Sequence, residues 1–188
     1  MLSGELVYLS PVTKDDLENI NILRNNWDLK KLTLGVRFPI TTENDLSWYT
    51  NVGNDMSNRT IFFSVRNKKN KTFLGLIQLS NVDWVSRNAM VGIQLNPEVQ
   101  GKGVGTDALK LISDYCFYKI NLHKITAHIA DYNIGSIKLF EKNGYILEGV
   151  LRNHIYYDLE YSDLRIYSLF CNKNFSSHSI INLDVKNE

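Results

Sequence analysis

Three glycines alternate with other residues in one short stretch, residues 100–105, which reads Gln-Gly-Lys-Gly-Val-Gly. An apolar strand pattern at residues 89–95 precedes it, and a helical pattern with Thr106 at the cap position follows it. Glycines let a backbone approach a ligand closely, and a helix N-terminus directs unpaired N–H groups at the same place. The sequence therefore predicts a local anion-binding loop, to which Lys102 adds a positive charge.

Spacing and charge exclude several classes of phosphate-binding protein. The stretch lacks the G-x-x-x-x-G-K-[ST] pattern of nucleotide-hydrolysing P-loops, and its G-x-G-x-G spacing does not fit the G-x-G-x-x-G of dinucleotide-binding folds. Because 21 Lys and Arg balance 20 Asp and Glu, the chain has no broad basic surface for nucleic acid or an anionic membrane. The sequence favours a different phosphate-bearing cofactor, bound locally.

The order of the predicted elements indicates an α/β chain in which antiparallel strands come first and a strand–helix alternation follows. Strand patterns lie at residues 5–10, 61–65, 73–79, 89–95, 124–130, 146–150 and 164–170. Helices are predicted after Thr13, after Thr41, from Thr106 to about Lys119, and from about Asn133 to Asn143. The 188 residues fit one domain, which we expect at residues 1–173, followed by a polar tail at 174–188.

Cysteine usage and hydropathy favour a soluble, cytoplasmic protein. Cys116 and Cys171 are far apart and form no C-x-x-C pattern, so neither a metal site nor a disulfide framework is predicted. The first residues contain no basic region that leads into an apolar stretch, and no apolar run approaches the roughly 20 residues of a membrane span.

Two stretches taken together resemble a known superfamily. Residues 100–105 match the signature Q/R-x-x-G-x-G/A of the GNAT acetyltransferases. Residues 133–145, Asn-Ile-Gly-Ser-Ile-Lys-Leu-Phe-Glu-Lys-Asn-Gly-Tyr, are similar to its second signature, N-x-x-S-x-x-[LF]-[YF]-E-K-x-G-[FY]. Residues 148–152 and 161–163 resemble the ending of the RimJ/RimL-like branch, which includes acetylators of ribosomal-protein N-termini and of amino sugars. The resemblance covers the chain from about Leu6 to Phe170.

This resemblance implies the GNAT fold, a mixed, twisted central sheet of about seven strands flanked by about four helices. The strands at 89–95 and 124–130 would splay apart to admit the pantetheine arm of acetyl-CoA. The implied cofactor-binding residues are Ile93, Leu95, Gln100, Gly101, Lys102, Gly103, Val104, Gly105, Thr106, Asn133, Ser136 and Phe140. A plain helix cap is the alternative for Asn133, and the two roles can coexist.

The acid and base common in this superfamily are missing from their usual positions. Phe140 stands where many members have a Tyr that protonates the departing thiolate, and Met90 stands where RimJ/RimL-like enzymes often have Glu. We expect Ser136 to stabilise the thiolate by a hydrogen bond, with a bond to the helix backbone as the alternative. Asp83 and His154 are our candidate bases, although a surface or packing role for His154 and proton removal by water are alternatives.

The function that follows is transfer of the acetyl group of acetyl-CoA to a primary amine in a ternary complex, since no Cys or Ser lies in a nucleophile–base pattern. Trp27, Arg37, Trp48 and Tyr49 are predicted to shape the acceptor pocket, with core packing as the alternative. A protein N-terminus or an amino sugar is the leading acceptor. Polyamines and aminoglycosides would be favoured by carboxylates near the pocket, which the sequence does not reveal. A non-catalytic acyl-CoA sensor or scaffold is the competing class, and a homodimer stays open.

Overall fold

The structure is a computed structural model that describes residues 1–34 and 37–171, and only the backbone of Asn54. The tail predicted at 174–188 lies outside the described residues. Within them, the strands are β1 (Leu2–Ser3), β2 (Val7–Pro11), β3 (Ile61–Asn67), β4 (Phe73–Asp83), β5 (Asn88–Leu95), β6 (Lys124–Ala130), β7 (Ile146–Tyr157) and β8 (Glu160–Phe170). The helices are α1 (Leu17–Asn25), α2 (Trp27–Leu32), α3 (Thr42–Asn54), α4 (Val104–Asp114) and α5 (Ile134–Lys142). None of these helices is long and apolar enough to cross a membrane.

The eight strands form one mixed sheet in the order β1-β2-β3-β4-β5-β6-β8-β7. All neighbouring pairs are antiparallel except β5 and β6, which run parallel. These two central strands pair only from Asn88 opposite Lys124 to Met90 opposite Thr126, and beyond that point they separate. The predicted mixed sheet with splayed central strands is confirmed, with eight strands and five helices in place of about seven and about four.

Helices cover both faces of the sheet. On one face, the apolar side of α4 buries Leu109 and Ile112 completely against strand residues such as Val7 and Ile77. Side chains of successive strand residues point to opposite faces. Gln94 of β5 accordingly reaches the other face, where its Nε2 donates to the Leu23 carbonyl of α1 at 3.2 Å.

The start of α4 corrects one sequence prediction. Thr106 was expected to cap this helix, but the helix begins at Val104 and its N-cap is Gly103, which has a left-handed φ of 84°. Glycine adopts this conformation without a Cβ clash, so the loop turns into the helix earlier than a Thr cap would allow. The chain then ends the helical segment in a five-residue π-helical turn, Tyr115–Lys119.

Candidate active site

The glycine loop presents unpaired backbone N–H groups. Gly101 and Gly103 have φ angles of 72° and 84°. The first bond of the α4 ladder runs from the Asp107 N–H to the Gly103 carbonyl at 3.1 Å. The N–H groups of Val104, Gly105 and Thr106 therefore precede the ladder and have no partner within the helix. Such a cluster, at the positive end of the helix dipole, fits a pyrophosphate.

Packing around the loop requires small residues. A Cβ atom on Gly105 would lie 3.1 Å from Cδ2 of Leu139, so glycine here allows α4 to approach α5 closely. Gln100 tightens the approach to the loop, because its Nε2 donates to the Leu95 carbonyl at 3.2 Å. Lys102 is exposed beside these groups.

The unpaired edge of β5 points into the gap between the splayed strands. The Asn96 N–H donates to the Leu74 carbonyl across the β4 side at 2.9 Å. In an antiparallel pair, alternate residues direct their backbone groups to opposite sides. Ile93 and Leu95, which stand opposite Ile77 and Gly75, therefore direct theirs away from β4, towards the side where β6 has separated.

A cavity of about 370 Å³ opens at this gap. The strands contribute residues 90–94 of β5 and 127–129 of β6 to its wall. The helices contribute Arg24, Lys30, Trp48, Asn133, Ser136 and Phe140. The cavity therefore connects the cofactor side of the fold, at α5, with the helical region at α1 to α3, and its volume is in the range of small-molecule sites.

Three predicted residues of α5 reach this cavity together. Asn133 caps the helix by accepting the Ser136 N–H at 3.0 Å, and its Nδ2 donates to the Leu32 carbonyl at 2.9 Å. The helix-cap alternative for Asn133 is thus present, while one of its N–H groups remains available. The half-buried Ser136 hydroxyl makes no hydrogen bond within the part of the chain that the structure describes. Phe140 is only 2% exposed and packs edge-on against Tyr145, with a centroid distance of 4.8 Å.

His128 is a cavity residue that sequence reasoning did not single out. It lies on β6, opposite Ile166 of β8 and beyond the point where β6 leaves β5. Burial and, to a smaller extent, the charge of nearby His154 lower the pKa of His128 below its usual value. The imidazole is therefore neutral at neutral pH and can accept a proton. Polar Lys124, Thr126 and His128 alternate with apolar residues along β6, so the sequence pattern did not single out His128, although the family resemblance did imply the splay that brings it to the cavity.

The two candidate bases predicted from sequence do not line the cavity. Asp83 ends β4, where its carboxylate accepts the N–H groups of Val85 and Ser86 at 2.9 and 2.8 Å. Hydrogen bonds from Ser86, assisted by the N–H of Val85, hold the pKa of Asp83 below its usual value, which makes it a poor proton acceptor. His154 is exposed on β7, and its charge acts on His128, which does line the cavity.

Of the four residues predicted to shape the acceptor pocket, Trp48 alone is among the described residues that line the cavity. Trp48 lines the cavity and meets the Phe62 ring edge-on at 4.9 Å. Trp27 is 60% exposed. Arg37 instead donates to the Tyr156 carbonyl and lies over the Tyr157 ring. Tyr49 is half-buried on α3 and is not part of the cavity wall.

Comparison with known proteins identifies the class to which this geometry belongs. Residues 7–146 match the family model described as acetyltransferase (GNAT) domain. The chain is 28% identical over 179 residues to the spermidine N(1)-acetyltransferase of Escherichia coli K12, covering 95% of this chain and 93% of that protein. It is 34% identical over 95 residues to the putative ribosomal N-acetyltransferase YdaF of Bacillus subtilis, covering 50% of this chain and 52% of that protein. A crystal structure of spermidine N-acetyltransferase from Vibrio cholerae in complex with CoA and spermine superposes with a TM-score of 0.83 at 27% identity, covering 89% of this chain and 97% of that one.

The chain belongs to the GNAT acetyltransferase family. It is an acetyl-CoA-dependent N-acetyltransferase, so the prediction of an enzyme is confirmed over the sensor alternative. Acetyl-CoA as the co-substrate is confirmed as well, and the open N–H groups at the start of α4 fit its pyrophosphate.

Proposed function

We propose that the cavity binds a small primary amine and that the chain transfers the acetyl group of acetyl-CoA to this amine directly. The observation that carries the proposal is the gap between β5 and β6, which opens into the same cavity that Ser136 and His128 line. A ternary complex in this gap would hold the two reacting groups in one enclosed volume, which removes much of the entropic cost of bringing them together.

The cofactor would be held by backbone rather than by charge. The N–H groups of residues 103–106 would bind the pyrophosphate, with Lys102 as a mobile counter-charge. Ile93 and Leu95 would pair with the pantetheine arm as a missing neighbouring strand would. The Leu95 carbonyl accepts from Gln100 and keeps one further lone pair, so it could join the Leu95 N–H and the backbone groups of Ile93 in this pairing.

Two side chains of the cavity would assist the transfer, one as proton acceptor and one as hydrogen-bond donor. During transfer a bond forms between the amine nitrogen and the acetyl carbon, the carbon–sulfur bond breaks and the nitrogen loses a proton, while the sulfur leaves as a thiolate that takes its proton from solvent. Neutral His128 would accept the proton from nitrogen, in the role that sequence reasoning assigned to Asp83 or His154. Ser136 would donate a hydrogen bond to the departing thiolate, because Phe140 has no proton to give.

Three classes of amine are candidates for the acceptor. The cavity volume supports a small amine, such as an amino sugar, and the relatives named as spermidine N-acetyltransferases support a polyamine as a second candidate. The partial match to a putative ribosomal N-acetyltransferase, together with the RimJ/RimL-like ending, keeps a protein N-terminus as a third.

Thiol release tests the proposal. The purified protein is mixed with acetyl-CoA and one amine at a time, and free thiol is followed against a reaction without amine. We expect amine-dependent release at a rate well above the background, with the acetylated amine formed in equal amount. A protein that binds acetyl-CoA but releases no thiol with any amine of the panel would contradict it.

A further inference from the structure

Lys30 is a buried cation in the wall of the cavity. Only 4% of this residue is exposed, although it lies on the short helix α2. Its ammonium donates to the Phe38 carbonyl at 2.6 Å and to Oδ1 of Asn25 at 3.3 Å, and it lies 4.8 Å from the Trp27 ring centroid. An ammonium has three N–H donors, so one remains without a described acceptor.

No carboxylate among the described residues balances the charge of Lys30. Four ion pairs occur among the described residues, and Lys30 is a member of none of them. Removing an ammonium from water without a negative partner is unfavourable, so such a group is seldom kept buried by packing alone. Neutral acceptors and an aromatic face stabilise the ammonium only in part. A buried cation at this position therefore favours an anionic ligand at the wall of the cavity.

Arg24 adds a second cation to the same wall. Its Nη1 donates to Asp45, which is 1% exposed, and its guanidinium lies 5.2 Å from the Trp48 ring centroid. The fork of a guanidinium has five N–H donors, so pairing with Asp45 leaves others for a ligand. Asp45 itself is not part of the cavity wall, and neither Asp nor Glu occurs among the described residues that line it.

We infer that the amine acceptor carries an acidic group, a carboxylate or a phosphate, which Lys30 and Arg24 bind. This inference rests on the proposed function, since it assigns the acceptor of the same cavity. The buried Lys30 ammonium and the partly exposed Arg24 guanidinium can form strong, charge-assisted hydrogen bonds with such an anion, and they oppose binding of a polycation. The acceptor of this chain would then belong to a different class from spermidine, the polyamine after which the spermidine N-acetyltransferase relatives are named.

Matched pairs of amines test the inference directly. Glucosamine 6-phosphate is compared with glucosamine, β-alanine with β-alaninamide, and spermidine is assayed alone. In one of the two pairs, we expect kcat/KM to be at least about tenfold higher for the acidic member than for its neutral partner. The pair that shows the preference tells whether the site binds a phosphate or a carboxylate. Among all the amines, kcat/KM should be lowest for spermidine. Equal values within both pairs, or a clear preference for spermidine, would overturn the inference while leaving amine acetylation intact.

Substitution at Lys30 assigns the preference to this residue. Lys30→Met should abolish the preference within the pair, mainly by raising KM for the acidic member. Lys31→Met is the matched control, because Lys31 is exposed on the same helix, and it should keep the preference. Equal losses on both members of the pair would mean that Lys30 only supports the structure, and this would also overturn the inference. If Lys30→Met does not fold, the wild-type preference alone decides.

Calorimetry separates this inference from the proposed function. The same amines are titrated into the CoA-bound wild-type protein, so that recognition is measured without turnover. Tighter binding of the acidic member without any thiol release would support the anion site and contradict the proposed transfer reaction. Equal binding of both members would overturn the anion site, whatever the thiol assay shows.

Discussion

Ser136 is the hydroxyl best placed to replace the missing Tyr, since it lines the cavity and its hydroxyl has no hydrogen bond within the described chain. Losing one hydrogen bond to a developing anion costs about 2.7 to 4 kcal/mol in a well-organised site. For Ser136→Ala, whose site is only half-buried, we expect kcat to fall about tenfold or more with little change in acetyl-CoA affinity. Steady-state kinetics and calorimetry measure both quantities.

Phe140→Tyr is the companion variant for this prediction. If Ser136 or solvent already stabilises the departing thiolate, the added hydroxyl of Phe140→Tyr should raise turnover only slightly. Phe140 is buried against Tyr145, so an added hydroxyl can disturb the packing, and the melting temperature of the variant is therefore measured first. A Ser136→Ala protein as fast as wild type would leave Ser136 as a helix residue only, and strong activity created by Phe140→Tyr alone would mean that the wild type lacks an effective acid.

His128 predicts an acidic limb in the pH profile of kcat. Its pKa is lowered, so the imidazole is neutral at pH 7, and activity should fall as pH drops through that pKa. His128→Gln should lower kcat and remove the limb. The charge of His154 contributes to the lowered pKa of His128, so His154→Gln should move the limb to higher pH without removing it. An unchanged profile in both variants would exclude His128 as the base.

The residues that sequence reasoning missed share a physical reason. In the sequence, Lys30 looks like an ordinary lysine of a helix. It is buried in the structure, where its ammonium donates to the Phe38 carbonyl. The position of His128 matters only because β6 separates from β5. Asp83 was plausible beside an aromatic residue, yet two turn amides engage its carboxylate. Such properties depend on neighbours distant in sequence.

At the scale of elements, the junction of β5, loop and α4 was predictable because glycine spacing and a following helix have local causes. Gly103→Glu tests it. The side chain would enter a position with φ of 84°, and its charge would oppose a bound phosphate, so acetyl-CoA affinity should be lost in a folded protein. Gly103→Asn tolerates the left-handed conformation without the charge and should lose less. Calorimetry that shows wild-type affinity in folded Gly103→Glu would refute the loop assignment.

The first turn of α4 is also tied to the start of β2 by Asp107. Its carboxylate accepts the N–H groups of Glu5, Leu6 and Val7 at 3.2, 2.8 and 2.9 Å. Hydrogen bonds to a charged group contribute about 1.5–3 kcal/mol each, and the amide of an Asn cannot accept on both of its terminal atoms.

Asp107→Asn should therefore lower the melting temperature by several degrees. Asp114→Asn on the same helix is the control, since Asp114 is exposed and should leave stability unchanged. Thermal unfolding followed by circular dichroism measures both. Equal melting temperatures for the two variants would show that Asp107 does not stabilise this junction.

For the whole molecule, the strand–helix order and the two signature stretches were enough to predict the mixed sheet and the family. The separation of the two halves of the sheet at β5 and β6 followed from the family resemblance, but the length over which these strands still pair did not. β1 to β5 form one side and β6 to β8 the other, and the central pair joins them through only three residue pairs, from Asn88–Lys124 to Met90–Thr126. Strand patterns indicate which residues extend, but the length of a pairing depends on both strands at once.

Acetyl-CoA should stabilise the whole fold, because it would bridge these two halves at the gap. A ligand that binds only the native state adds about 2.7 kcal/mol at a hundredfold excess over its dissociation constant. At about 2–4 °C per kcal/mol for a chain of this size, the melting temperature should rise by roughly 5–10 °C. ATP, which carries phosphates but no pantetheine arm, should raise it less, and folded Gly103→Glu should show no rise with acetyl-CoA. If ATP and acetyl-CoA stabilise the protein equally, the gap between β5 and β6 does not hold the arm, and phosphate binding at the loop accounts for the whole effect.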